Sequence, residues 1–240
     1  MITEWTAGER ATDAILTGIP VGRPAIEALD GVYRPSVDSA LLCKHAVAEA
    51  TGSGADRRTV IELCAGSGIA SIYAALAGAE VTAVDDRPAA IAAVGRNAVR
   101  NQLRVDTVLA DVRTWTPRAP ADVVVANPPY VPAPAEATDD GHAWNAGPDG
   151  RAVLDPLIDH ARRLVAPGGV LILVYSAVAG VSATLDGLQR NGFDACVIDE
   201  MQLEFGPVML RRAQWLAANG LIDGDQSEER LVVVRAVRSR

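Results

Sequence analysis

Lysine is almost absent from this chain. Lys44 is the only one among 240 residues, so nearly all positive charge is arginine. That skew reads as genome composition, not mechanism. Positive charge is also scarce: 22 Lys and Arg face 30 Asp and Glu, for a net charge of −8 and a pI near 4.9. A grip on nucleic acid normally shows a basic patch or stripe. The pairs Arg162-Arg163 and Arg211-Arg212 are local and read as solvated helix faces, which disfavours nucleic acid without forbidding it. Cysteines are few and odd in number: Cys43, Cys64 and Cys196. They form no metal-ligand spacing and suit a reducing compartment. His45, His142 and His160 are scattered, so no metal site is expected. No apolar run approaches the ~18 residues of a membrane-spanning helix. Glu4, Glu9 and Arg10 do not give the basic-then-apolar order of a signal peptide. The expectation is a cytoplasmic protein with no membrane partner.

What the chain does have is an alternation of short β-branched runs with Ala-rich helical stretches, at 49% apolar residues. Strands are expected at 59–63, 80–84, 105–110, 121–126, 170–175, 193–198 and 231–237. Ser36 is placed to cap a helix running to about Ala50, with Asp38 in its first turn. Pro167-Gly168-Gly169 reads as a turn, 151–165, 178–191 and 206–219 as helices, and 131–150 as a long loop. The fold class is α/β: a Rossmann-like, seven-stranded, mostly parallel sheet with helices on both faces and an antiparallel pair at one edge. Residues 1–31 read as an irregular arm, and 32–240 as one domain.

The tetrapeptide Asn127-Pro128-Pro129-Tyr130 ends the buried run Ala121–Ala126. Proline fixes φ near −65° and removes a backbone donor. An amide locked this way can offer its side-chain oxygen, with the Pro128 carbonyl, to both hydrogens of one planar NH2 group. Tyr130 can cover the flat face of that group. Such a site suits an amide or an exocyclic amine. The plain alternative is a strand-ending turn.

Upstream, Thr59–Leu63 leads into Cys64-Ala65-Gly66-Ser67-Gly68 and then a helix from Ile69 to Ala77. Glycines at 66 and 68 permit tight turning and close backbone approach to a ligand. The next strand ends at Asp85, where a carboxylate can accept from both ribose hydroxyls. Asp111 closes the third strand and can accept from an adenine amino group. The third glycine of the dinucleotide fingerprint is missing. Glu62, four residues before Gly66, offers a carboxylate to an ammonium. A nicotinamide cofactor has no ammonium; S-adenosylmethionine does. The carboxylates at 62, 85 and 111 therefore favour S-adenosylmethionine, the alternative being three solvated acids at strand ends.

Together, Glu62 to Gly68, the stretch Val84–Ala90 with Asn97-Ala98, Ala110-Asp111 and Asn127–Tyr130 resemble a class I methyltransferase. More narrowly they resemble the HemK/PrmC group, which methylates the glutamine side-chain amide of a translation release factor. Val32–Ser39 resembles the segment that closes over cofactor and substrate. Ala143–Arg151, with Asp155, resembles the loop of the shorter eukaryotic and archaeal branch. The resemblance covers roughly residues 32–237. It implies a cofactor pocket of Tyr33, Pro35, Asp38, Glu62, Cys64, Ala65, Gly66, Gly68, Asp85, Asp86, Asp111, Val112 and Asn127. It implies acceptor contacts from Asn127, Pro129, Tyr130 and Trp144, and a catalytic set of Asn127, Pro128 and Tyr130. It also implies a protein substrate such as a release factor, and a small zinc-containing activator protein on a sheet edge. There are departures. The N-terminal helical domain with which bacterial relatives hold the release factor has no counterpart in residues 1–31. Cys64 and Ala65 replace the more usual Gly and Thr, and Asp86 sits where an apolar residue is common.

The expected reaction is N-methylation of a protein glutamine amide. The alternatives are adenine-N6 or guanine-N2 methylation of nucleic acid, N-methylation of a lysine or a small metabolite, and a non-catalytic cofactor-binding scaffold. No general base is required for an amide, because the cationic N-protonated amide formed by methyl transfer is acidic enough to release its proton to water.

Overall fold

The computed structural model describes residues 6–51, 57–135, 137 and 141–240. Thr51 to Arg58 reads from its glycines and polar residues as a connection, and most of it lies outside them. Seven strands form one sheet: β1 (Thr59–Leu63), β2 (Glu80–Asp85), β3 (Asp106–Leu109), β4 (Ala121–Ala126), β5 (Val165–Ser176), β6 (Phe193–Glu204) and β7 (Glu228–Arg238). Their order is β3-β2-β1-β4-β5-β7-β6. Pairs from β3 across to β5 are parallel, and β7 runs antiparallel to both β5 and β6. This is the mostly parallel sheet with an antiparallel edge pair that the strand pattern predicts.

The helices are α1 (Ala7–Thr17), α2 (Val37–Ala50), α3 (Ile69–Leu76), α4 (Pro88–Arg100), α5 (Leu154–Leu164), α6 (Val181–Arg190) and α7 (Pro207–Ala218). Because both faces of the sheet are covered, the central strands are apolar on both sides: Val123, Val124 and Val125 are all fully buried. Val123 and Val125 join α1, α2 and α3 in one core, whereas Val124 joins α5 and α6 in the other. A third, smaller core lies under α7 and takes in Val131, Phe205 and Met209. Among the described residues no helix is long and apolar enough to cross a membrane.

Four elements differ most from expectation. The strand expected over 193–198 runs on to Glu204 as β6, paired along its length with β7. Residues 7–17, expected to be irregular, form α1. Its cap is reciprocal, with the Thr6 hydroxyl accepting from Glu9 N and the Glu9 carboxylate accepting from Thr6 N. Leu16 and Ile19 insert into the main core beside α2, so tertiary burial fixes a segment that glycine and proline content suggested was open. The expected turn at 167–169 is a bulge inside β5: Ala121 pairs with Val165 and Val123 with Val170, so extra residues are absorbed without ending the strand. The helix expected over 178–191 is broken. Ala177–Ala179 is a 3-10 turn, and Gly180, at φ 83°, redirects the chain into α6.

Candidate active site

The carboxyl ends of β1, β2 and β4 converge on one cavity of about 1320 Å³. In an open parallel sheet this is where ligands bind. β1 supplies Glu62, which is buried and accepts the Ser71 N–H from the first turn of α3 at 2.7 Å. Burial pushes its pKa up to about 7, against the lowering effect of the α3 hydrogen bonds and with a further rise from Asp85. The following loop turns through three left-handed residues, Cys64 (φ 54°), Gly66 (φ 52°) and Gly68 (φ 72°). A Cβ on Gly66 would meet only Tyr33, at 3.9 Å, so its backbone faces open space. Gly68 is different. A Cβ there would lie 2.8 Å from Val94 of α4, so this glycine serves helix packing, and it is absent from the cavity wall. Asn97, also on α4, donates to the Ser67 carbonyl at 2.9 Å and accepts Glu27 N–H at 2.8 Å, tying loop and N-terminal segment together.

Asp85 at the end of β2 is buried, and burial raises its pKa. One oxygen accepts Gly66 N–H and the other Arg87 N–H, both at 3.0 Å. The loop is thus pinned by the residue expected to take the ribose. Asp86 bonds His142 at 2.9 Å. Asp111 is half-exposed and held by the fork of Arg113, with contacts of 2.7 to 3.1 Å, which keeps its carboxyl below the usual range. That fork and the Arg113 N–H occupy most of its acceptor positions. The adenine contact expected of Asp111 therefore requires Arg113 to move. Val112 is buried in the same wall.

β4 brings in Asn127 directly after Ala126, which is in register with Leu63 on one side and Leu173 on the other. The Asn127 side-chain oxygen is buried and accepts no hydrogen bond. Leaving such an acceptor unmade costs about 1–3 kcal/mol. Beside it, Asp38 of α2 is a hub. Its Oδ2 accepts the Tyr33 hydroxyl at 2.9 Å and the Tyr130 hydroxyl at 3.1 Å. Its Oδ1 accepts the Ser36 hydroxyl at 2.7 Å and Ser39 N–H at 2.6 Å. Tyr130 is thereby tied to α2 on the cavity wall that it shares with Asn127. Burial, reinforced by Asp38, pushes both tyrosine hydroxyls well above their usual range, so they remain donors.

Residues 131–135 and 141–150 meet at this end of the cavity. Val131 N–H donates to the Trp144 carbonyl at 2.8 Å, and Ala146 N–H to Val131 at 3.0 Å. Arg212 of α7, itself buried, donates to the Pro132 carbonyl at 3.1 Å and to the Asn145 side chain. Arg151 clamps the far end to Asp155, Ala179, Gly180 and Thr184. Gly150 is obligatory, since its φ is 78° and a Cβ would lie 2.5 Å from the Tyr130 carbonyl. Trp144 reaches the cavity with its indole N–H buried and unpaired.

Of the residues expected from sequence, all but Pro35 and Gly68 lie on the cavity wall. Sequence reasoning missed Ser39, His142, Phe205 and Glu229. Glu229 is the second residue of β7. Because β7 runs antiparallel, its first residues sit beside the carboxyl end of β5, with Leu231 opposite Ser176, at the same end of the sheet as Asn127. A search confined to strand carboxyl ends cannot find it. Among the described residues no cluster is arranged to hold a metal ion.

The fold and the cavity define a class I methyltransferase. The residues fit S-adenosylmethionine: a buried carboxylate at Glu62, an open-faced glycine at 66 and a carboxylate at Asp85 stand around one space. Residues 29–196 match the methyltransferase small domain model, and the chain belongs to that S-adenosylmethionine-dependent family. It is 29% identical over 186 residues to a Methanocaldococcus jannaschii protein named for N5-glutamine methylation, covering 76% of this chain and 91% of the relative. It is 33% identical over 159 residues to the release factor glutamine methyltransferase of Mycolicibacterium smegmatis. That match takes in 62% of this chain and only 55% of the relative's length. In fold it resembles the Mtq2–Trm112 complex of E. cuniculi, described as responsible for methylation of the termination factor eRF1. The TM-score is 0.58 and the identity 21%, over 87% of this chain and 99% of that one.

Proposed function

We propose that this enzyme methylates the side-chain amide nitrogen of a glutamine in a protein, of the kind presented by a translation release factor. The observation that carries the reading is the Asn127 amide oxygen, buried and without a donor at the floor of the cavity. A primary amide brings the donor that is missing. S-adenosylmethionine, when bound, supplies an electrophilic methyl group. Glu62 is suited to its ammonium and Asp85 to its ribose. Asn127 Oδ1 and the Pro128 carbonyl hold the two N–H bonds of the acceptor and aim its nitrogen. As that nitrogen gains positive charge the two acceptors bind it more strongly, so their contribution is greatest in the transition state. Tyr130, fixed by Asp38, covers the face of the amide, and Trp144 closes the side. The methylated nitrogen then releases its proton to water.

Charge on the wall supports a protein over a nucleic acid. Arg87, Arg113 and His142 accompany the acids at 85, 86 and 111, whereas beyond Tyr130 the charged residues of the wall are Asp38, Glu204 and Glu229. Phosphates would meet an acidic rim there. A small partner protein also suits this chain. The β3 edge is only four residues long, and Leu109 on it and Val99 on α4 are 56% and 78% exposed, an apolar flank open to pairing. The test is transfer of labelled methyl from S-adenosylmethionine into cell extract, followed by protease or nuclease digestion. Label released by protease and located on glutamine is the expected result. Label released by nuclease would overturn it. Repeating the transfer to the purified acceptor, with and without the remaining extract, reads the need for a partner.

A further inference from the structure

Trp144 carries a polar atom that the reaction above leaves unused. Its backbone is tied to the chain just beyond Asn127, because the Val131 N–H donates to the Trp144 carbonyl at 2.8 Å. Its ring packs on the small core of Val131, Phe205 and Met209 and reaches the cavity wall. The indole N–H is buried and meets no acceptor. Asn127 Oδ1, on the same wall, is buried and meets no donor. An unmade donor and an unmade acceptor each cost stability. A primary carboxamide answers both, since its NH2 gives hydrogens and its carbonyl takes one. An ammonium side chain gives hydrogens only and would leave the indole unmet. The hydroxyls of Tyr33, Tyr130 and Ser36 are already given to Asp38, so they do not compete for that carbonyl.

We propose that the Trp144 indole N–H donates to the carbonyl oxygen of the acceptor amide and so selects a carboxamide over an amine. The inference rests on the glutamine reading and deepens it. It also fixes a sign. In the resting amide the nitrogen lone pair feeds the carbonyl, which makes that oxygen a good acceptor. As the nitrogen turns its pair to the methyl group, the carbonyl loses that donation and accepts less well. The indole bond is therefore stronger before reaction than in the transition state, the reverse of the bonds to Asn127 and Pro128. Such a contact tightens binding without raising kcat. Trp144 is a specificity residue, whereas Asn127 acts on the rate.

The test uses the full chain, labelled with nitrogen-15 and saturated with S-adenosylhomocysteine. N-acetylglutamine methylamide is added, with the norleucine and lysine counterparts as controls. Of the signals from four tryptophans, that of Trp144 is the one lost in Trp144→Phe. It should move downfield with the glutamine probe and with neither control. Kinetics on the acceptor isolated from extract give the second readout. Trp144→Phe keeps an aromatic ring and removes the donor, so KM should rise about three- to tenfold, the scale of one neutral hydrogen bond, while kcat holds or rises. Unchanged affinity for S-adenosylhomocysteine shows that the variant is folded. An indole signal that stays in place up to the solubility limit of the glutamine probe, or that moves equally with norleucine, overturns the proposal. So does a fall in kcat like that expected of Asn127→Ala. The two readings fail separately. Methyl found on glutamine with the indole unmoved sinks only the role of Trp144. An indole shift specific to the glutamine probe, with no methyl on glutamine, sinks only the reaction assigned above.

Discussion

Asn127 and Glu62 are both buried polar groups that the sequence marks, and they make different demands. Asn127 is assigned to the acceptor nitrogen, so Asn127→Ala should leave cofactor affinity nearly intact while kcat falls about 10²–10³-fold, by analogy with loss of one preorganised polar group. Melting temperature and single-turnover rate on one preparation separate this from a turn residue, whose loss would lower stability and spare the rate. Burial holds the Glu62 pKa at about 7 in the folded chain, against about 4.5 for a free glutamate. The unfolded chain releases that proton first, so the cofactor-free protein should lose stability as pH rises from about 4.5 to 7, by up to roughly 3 kcal/mol, and no further above 7. An ammonium partner favours the ionised carboxylate. Affinity for S-adenosylmethionine should therefore tighten with pH between about 5.5 and 7, by at most tenfold per unit, with proton release on binding. Calorimetry in buffers of different ionisation heat checks this. A flat profile in wild type, or one unchanged in Glu62→Gln, would remove Glu62 from the ammonium site.

Among the elements, the sheet was legible because its strands are short, β-branched and punctuated by glycine and proline. The cofactor loop was legible because its glycines follow a strand. The segment over the acceptor was legible only as a long loop. Much of what shapes it is distant in sequence: Arg212 comes from α7, and Arg151, quoted from the sequence with Asp155, binds the turn before α6. No local pattern in 131–150 announces Arg212, and the reading of α1 as irregular gave its glycines and prolines more weight than the Thr6–Glu9 capping box and missed its packing on α2. Arg212→Ala should cost about 1–3 kcal/mol by leaving the Pro132 carbonyl and the Asn145 side chain without their donor. Because that change loosens the cover over the acceptor and leaves β1 and β2 untouched, KM for the acceptor should rise several-fold while cofactor affinity stays within about twofold. Equal losses of both would mean that the segment belongs to the cofactor site.

At the scale of the whole molecule, charge decides what the cavity can be shown. The chain is acidic overall, at −8, and its positive side chains on the wall sit beside Asp86 and Asp111, which they partly neutralise. An enzyme that grips about six phosphates loses roughly 10³–10⁵ in affinity between 50 and 200 mM salt, because each contact releases a counterion. A protein acceptor held through the hydrogen bonds of its amide has no such slope, because it releases few counterions when it binds. Methyl transfer to the labelled acceptor isolated from extract should accordingly change less than about tenfold in kcat/KM over that range of salt. A fall of a thousandfold would mean that a phosphate backbone is being held, and the acceptor would then be sought among nucleic acids despite the acidic rim.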